Sequence, residues 1–173
     1  VTDQLPAEAP SDGAIRLRPA TPQDLPAIVE VWSAAWRDGH VGHVPDELLA
    51  VRDSAYFTAQ ATQRLGTTWV AIDGAGRIAG VVIIAGDELF QLAVADHARR
   101  SGVGAALLTT AESVILADHA TAWLAVAPGN TRARTFYERR GWLDDGPTIY
   151  SAPAAAGKVA VPVHRYVKDR DQR

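Results

Sequence analysis

The chain has 173 residues, 47% of them hydrophobic and 21% charged, with a formal net charge of −3. That length suits one domain with a sizeable core, and the mildly acidic balance gives no electrostatic basis for nucleic acid or an anionic membrane as the main partner. There is no cysteine, which excludes a disulfide framework, a thiolate metal site and a cysteine nucleophile, and no apolar run approaches the length of a membrane span.

Residues 1–13, rich in Pro, Ala and acidic side chains, read as a flexible tail, and residues 14–173 as a single domain. The opening stretch has neither the basic nor the apolar region of a signal peptide, so a soluble, cytoplasmic protein is expected. "AIRLRPA" alternates apolar and basic residues and reads as a first strand. In "TPQD", Thr21 caps a helix, Pro22 takes its first position and Asp24 completes a capping box. Leu25, Ile28, Val29, Trp32 and Trp36 then recur at helical spacing up to Gly39. Pro45 opens a second helical stretch through Leu48, Leu49, Tyr56 and Leu65. "TTWVAID" and "RIAGVVIIAG" read as two strands joined by a turn at "DGAG", and "ELFQLAVA" as a fourth strand. Val103 to Ala117 reads as a helix with Val103, Leu107, Val114 and Ile115 inward, and "TAWLAVA" as a fifth strand. "NTRARTFYERR" is a helix stopped at Gly141. Two late strands, near 142–150 and 159–167, flank a flexible "SAPAAAGK" loop. Strands and helices alternating in this way imply an α/β domain.

The chemistry starts in "LAVADHARRSGVGAALL". A strand ends there and a helix begins at Ser101 or Gly102. The first turn of a helix holds backbone N–H groups without internal partners at the positive end of its dipole. Glycines let another molecule approach that backbone, and Arg99 and Arg100 add positive charge, so the turn suits a phosphate. Taken alone it is equally a tight turn with solvated arginines. Leu107 stands where a dinucleotide fingerprint needs its third glycine, and the Gly-Lys-Ser/Thr ending of a triphosphate loop is missing.

A second segment, Asn130, Ala133, Phe136, Tyr137, Glu138, Gly141 and Trp142, lies one strand further on. Together with Arg99-Arg100-Ser101-Gly102-Val103-Gly104 it resembles the two motifs of the Gcn5-related N-acetyltransferase (GNAT) superfamily, in the family's order and over roughly Ile15 to Val167. The resemblance implies a GNAT fold: a mixed, mostly antiparallel twisted sheet of about seven strands, flanked by about four helices and splayed between the fourth and fifth strands. It implies acetyl-coenzyme A as co-substrate, with its pyrophosphate on the backbone of Arg100, Ser101, Gly102, Val103, Gly104 and Ala105 and Arg99 in support. The pantetheine arm would run along Leu92, Ala93 and Val94, with Asn130, Ala133, Phe136 and Tyr137 on its other side. The Leu92 N–H would face the thioester oxygen, where charge develops during attack.

For Asn130 a helix N-cap is an equally supported reading. Tyr137 matches the family's acid for the departing sulfur, and a phenol with a pKa of about 10 keeps its proton at neutral pH; an aromatic packed beside Ala133 and Phe136 is the alternative. The acceptor is expected to be an amine, and deprotonating an amine at pH 7 costs roughly 4 kcal/mol, which calls for a base. By its distance from Arg99, Glu88 resembles the glutamate base of the histone-acetylating branch; a solvated turn residue is the equal alternative. Asp87, Glu47, Glu30, His40 and His43 are the reserve bases. The family places the acceptor against the first two helices and last two strands, which points to Trp36, His40, His43 and Glu47 as substrate-binding. His40 and His43 without a third ligand make a weak metal site, so no metal is expected. Arg132, Arg134, Arg139 and Arg140 form a basic face for the 3′-phosphate of coenzyme A or simply for solvent.

These readings converge on direct acetyl transfer from acetyl-coenzyme A to an amine, most simply of a small molecule, in a ternary complex. No nucleic acid or membrane partner is expected, and late-strand pairing offers a homodimer. The competing readings are a non-catalytic acyl-coenzyme A sensor of the same fold and a transferase of a different acyl group.

Overall fold

The computed structural model describes residues 14–154 and 157–172. The tail assigned to residues 1–13 lies outside them. Seven strands and five helices follow in the order β1 (Arg16–Pro19), α1 (Leu25–His40), α2 (Asp46–Ala50), α3 (Ser54–Gln63), β2 (Thr68–Ile72), β3 (Ile78–Ala85), β4 (Glu88–Val94), α4 (Val103–Asp118), β5 (Thr121–Val126), α5 (Thr131–Glu138), β6 (Leu143–Ala154) and β7 (Gly157–Asp169). The capping box forms as expected, on a short 3₁₀ turn that leads into α1. The Asp24 carboxylate accepts the Thr21 backbone N–H at 2.7 Å. Arg18 meets the same oxygen at 2.7 Å and holds the Asp24 carboxyl well below the usual carboxylate range.

The strands form one sheet in the order β1-β2-β3-β4-β5-β7-β6. Every neighbouring pair is antiparallel except β4 and β5, which run parallel. β3 is apolar on both faces because both are covered. Val81 and Ile83 enter one core with Ile28, Trp32 and Phe57 of α1 and α3, and Val82 and Ile84 enter the other with Leu107, Leu108 and Ile115 of α4. Burying each such aliphatic side chain contributes about 1.5–3 kcal/mol. Gly80 lets α4 lie this close, since a Cβ there would stand 2.7 Å from Val103 and 2.8 Å from Leu107.

Three expectations change. The second helical stretch is two helices, because the chain breaks at Val51–Asp53 and Asp53 restarts it by accepting the Tyr56 N–H at 2.7 Å. Val114 is 39% exposed rather than inward; the buried stripe of α4 drifts from Val103 and Leu107 to Ile115 and Leu116 as the helix crosses the twisted sheet. The late strands run on through most of "SAPAAAGK", paired as far as Ala154 opposite Gly157. Small residues hide strand character from a propensity reading, yet Ala152 is buried against the α1-side core.

Candidate active site

The site begins where the sheet parts. β4 and β5 share one register position, Glu88 opposite Trp123, secured by the Trp123 backbone N–H on the Asp87 carbonyl at 3.0 Å. The Trp123 indole N–H also donates to the Asp87 carboxylate at 3.0 Å. Beyond that point the strands diverge. On its other side β4 stays in register with β3, but the register shifts between Ile83 and Ile84 and leaves Phe90 with no residue opposite. A bulge of this kind bends its strand. The resulting cavity is walled by Leu89–Leu92 of β4, Leu124–Val126 of β5 and Ala127 just after it, with α1, α5 and the late strands closing it.

α5 places Asn130, Ala133 and Tyr137 on the cavity. Both readings of Asn130 hold as geometry: its side chain accepts the Ala133 N–H at 3.1 Å, as an N-cap, and it lines the cavity. Tyr137 is 7% exposed. It is ringed by Phe136, Trp142 and Tyr166 at 5.2, 6.0 and 6.3 Å, so it packs as a core aromatic and lines the cavity at once. Burial alone raises its phenol pKa above the ordinary value; the hydroxyl is a proton donor throughout the neutral range.

At the other end stands Glu88, on the cavity wall. The Tyr150 hydroxyl donates to it at 2.8 Å. Burial raises its carboxyl above the usual value, against the opposing pull of the Tyr150 hydrogen bond and the Arg64 charge. His40 also lines the cavity, stacked on Trp36 with ring centroids 4.4 Å apart. Its Nδ1 donates to the Trp36 carbonyl at 2.8 Å. Burial holds its pKa below the ordinary value, so at neutral pH the ring is neutral with an unprotonated Nε2.

The turn after β4 has the form the sequence suggested. Arg100 takes φ 64° and Gly102 takes φ 89°, the left-handed region that glycine occupies without strain. Gly102 is the N-cap of α4 and no side chain caps that helix, unlike α3 and α5, whose caps are filled by Asp53 and Asn130. The first N–H groups of a sixteen-residue helix therefore meet the surface beside the end of β4. Ser101 donates its hydroxyl to the Ala98 carbonyl at 2.6 Å, which tightens the turn. Val103 and Ala93 are buried in the two cores, so what either offers a ligand is backbone. Val94 and Phe136 pack beside Gly104, where a Cβ would stand 3.4 Å from Val94 and 3.7 Å from Phe136. Ala105 is half-buried on the first turn of α4.

Several expected residues are elsewhere. Glu47 and Glu30 are exposed and do not line the cavity: the five-residue α2 turns Leu48 inward, and Glu30 lies off the buried stripe of α1. His43 lies against Gly129 in a separate shallow depression. Asp87 is engaged by Trp123. Of the basic face, Arg134 ties α5 to the late hairpin through Tyr166 at 3.0 Å and Asp144 at 3.1 Å, and Arg140 lies over Phe136 at 5.7 Å. Asp38 at the end of α1 binds both Arg99, at 3.0 Å, and Arg132, at 2.6 Å, which holds its carboxyl below the ordinary value. Arg52, Tyr56 and Tyr150 line the cavity too; the sequence places Tyr56 on the second helical stretch and gives Arg52 and Tyr150 no role. An arginine before a helix cap and a tyrosine in a late strand carry no signal of their own. Among the described residues no three His, Cys, Asp or Glu side chains group as metal ligands, and no helix is long and apolar enough to cross a membrane.

A family model described as the acetyltransferase (GNAT) family matches residues 25–142. A probable N-acetyltransferase of Mycobacterium tuberculosis is 29% identical over 160 residues, 84% of this chain and 89% of that protein. Among solved structures, a GCN5-related N-acetyltransferase from Rhodopseudomonas palustris matches with a TM-score of 0.68 at 18% identity, over 94% of this chain and 99% of that one. The PaiA N-acetyltransferase from Thermoplasma acidophilum, solved in complex with coenzyme A, matches with a TM-score of 0.66 at 16% identity, over 90% and 99%.

Proposed function

The chain belongs to the acetyltransferase (GNAT) family, and from that premise we propose that it moves an acetyl group from acetyl-coenzyme A directly to the amine of a small molecule. The observation that carries this reading is the parting of β4 from β5 with an uncapped helix start at one end and a half-buried carboxylate at the other. The fit to the donor substrate is physical. An extended amide chain can pair with strand backbone left without a neighbour, and the α4 N-terminus beside Arg99 and Arg100 suits a pyrophosphate. The coenzyme A complex of the similar Thermoplasma acidophilum protein supports the same choice of donor.

In this reading the Leu92 N–H stabilises the charge that develops on the thioester oxygen. Glu88 accepts the amine proton, and its raised pKa brings it closer to that task than an ordinary carboxylate. The nitrogen forms its bond to the acetyl carbon, the carbon–sulfur bond breaks, and Tyr137 gives the departing sulfur its proton. Asn130 fixes the start of α5 and with it the position of Tyr137, two turns on.

Calorimetric titration with acetyl-coenzyme A and release of free thiol with an amine panel test the proposal. The wild type binds, and Arg99→Glu/Arg100→Glu loses at least tenfold in affinity. Tyr137→Phe retains binding and loses about 10²-fold in kcat, within the range for a general acid. Absence of binding at millimolar ligand overturns the reading. Binding without thiol release across the panel transfers the protein to the sensor class.

A further inference from the structure

Glu88 meets a residue from the far end of the chain. It begins β4 and holds the one rung shared with β5, opposite Trp123. Its carboxylate Oε1 accepts the hydroxyl of Tyr150 at 2.8 Å, across 62 residues of sequence. Both side chains line the cavity, yet β4 and β6 are not neighbours in the sheet. The late hairpin makes the contact. β5 pairs with β7 from Asp169 back to His164; from there to Gly157, among the described residues, β7 pairs with β6 alone. Tyr150 sits in that overrunning part, opposite Val161. Val161 and Val163 turn into the α1-side core, and Tyr150 returns with them to the head of β4. Its ring packs beside Trp123, centroids 6.2 Å apart, so ring and carboxylate are anchored at the same rung.

Other charges act here too. Arg64, after α3, favours the ionised carboxylate and Asp87 opposes it. Tyr56, Arg64 and Arg52 face Tyr150, and Arg52 is itself hydrogen-bonded to Tyr56. Burial and the Glu88 charge raise the Tyr150 phenol above its ordinary pKa, so it is a donor across the neutral range. A hydrogen bond to the charged form of a carboxylate favours that form.

Resting on the acetyltransferase reading with Glu88 as its base, we propose that Tyr150 is the positioning residue of that base: its hydroxyl pins Oε1, keeps the carboxylate ionised and leaves Oε2 to face the acceptor amine. The amine proton passes to Oε2 as the nitrogen bonds to the acetyl carbon and the carbon–sulfur bond breaks. Tyr150 keeps its own proton throughout. Without its bond, burial would carry Glu88 out of the ionised form at a higher pH.

The test follows the Glu88 carboxyl directly, by NMR of isotope-labelled glutamate carboxyl carbons across pH. The Glu88 signal is the one missing from Glu88→Gln. Tyr150→Phe keeps the ring beside Trp123 and removes the donor. Its Glu88 signal titrates higher than in the wild type by about one pH unit, the size of one hydrogen bond to a charged group. The acid limb of kcat, from thiol release with the amine panel, moves the same way, and acetyl-coenzyme A affinity is unchanged. A merely structural role lowers kcat at every pH and leaves the limb in place. An unmoved Glu88 titration in Tyr150→Phe overturns the inference, as does a loss of kcat uniform across pH; either leaves the acetyltransferase reading standing. A wild type that fails to bind acetyl-coenzyme A, or releases no thiol with any amine, overturns that reading and this one with it.

Discussion

The two ends of the cleft, donor and acceptor in the function proposed above, are built from different materials. The donor end is backbone: the unpaired side of β4, the Gly102 turn and the start of α4. The acceptor end is side chains, Arg52, Tyr56, Glu88 and Tyr150, brought from a helix junction, a helix and two strands. Backbone geometry is set by short local sequence, so the donor end can be written in a few consecutive residues. A side-chain wall is assembled by tertiary folding and is free to change one residue at a time. In the proposed reading, donor binding rests on the fold itself and acceptor choice on individual side chains.

Three substitutions sharpen that contrast. The largest effect is expected at Glu88. Glu88→Gln lowers kcat by about 10²–10⁴-fold with acetyl-coenzyme A affinity unchanged, the range for losing a general base. The base works ionised, and burial raises its pKa. The wild-type rate therefore falls as pH drops through that raised value, and a pH–rate profile of Glu88→Gln lacks this acid limb. A variant that keeps the limb would move the base to His40 or water.

An intermediate effect is expected at Gly102. Alanine there must hold φ 89°, at a cost of about 1–2 kcal/mol. Calorimetry of the Gly102→Ala variant should show a Tm lower by several degrees and weaker acetyl-coenzyme A binding, with the ranking of acceptors untouched. A changed ranking would dissolve the division between the two ends.

The smallest is at Asp38. Asp38→Asn removes the carboxylate that Arg99 and Arg132 share, while Arg99 keeps Asp96 at 2.7 Å. Exposed ion pairs are worth up to about 1 kcal/mol, so acetyl-coenzyme A binding tightens by up to about fivefold at low salt, and titrations at rising ionic strength erase the gain. Weaker binding would mean that Asp38 orients the arginines rather than competing for them.

What the sequence makes legible follows the same division. The turn before α4, the strand that enters it, the α5 motif with Asn130 and Tyr137, and Glu88 at the head of β4 all sit where local pattern places them. Trp36 and His40 reach the cavity because helical spacing from the α1 core stripe carries them there. Glu47 and His43 do not, because the direction of a five-residue helix and the packing of a ring on Gly129 are decided by neighbours distant in the chain. Arg52 and Tyr150 escape notice for the same reason: each is ordinary in its own segment, and their meaning arises when the loop after α2 and strand β6 converge on β4. The longer late hairpin is a further case, since Ser151 and Ala152 gain strand geometry from β7 rather than from their own preference.

The single shared position between β4 and β5 has a consequence for how the molecule coheres. Its sheet is two half-sheets, of four strands and of three, stitched by one rung. Cohesion across that seam passes through the layer beneath, where Leu89 and Val82 share a core with Leu124, Val126 and Tyr166. On the other face Ala93 shares a core with Val161 and Val163, so the halves are joined by packed side chains rather than by a ladder of backbone hydrogen bonds. A donor lying in the seam would act as a missing strand, and the protein would be most nearly a continuous sheet at the moment it is loaded for reaction.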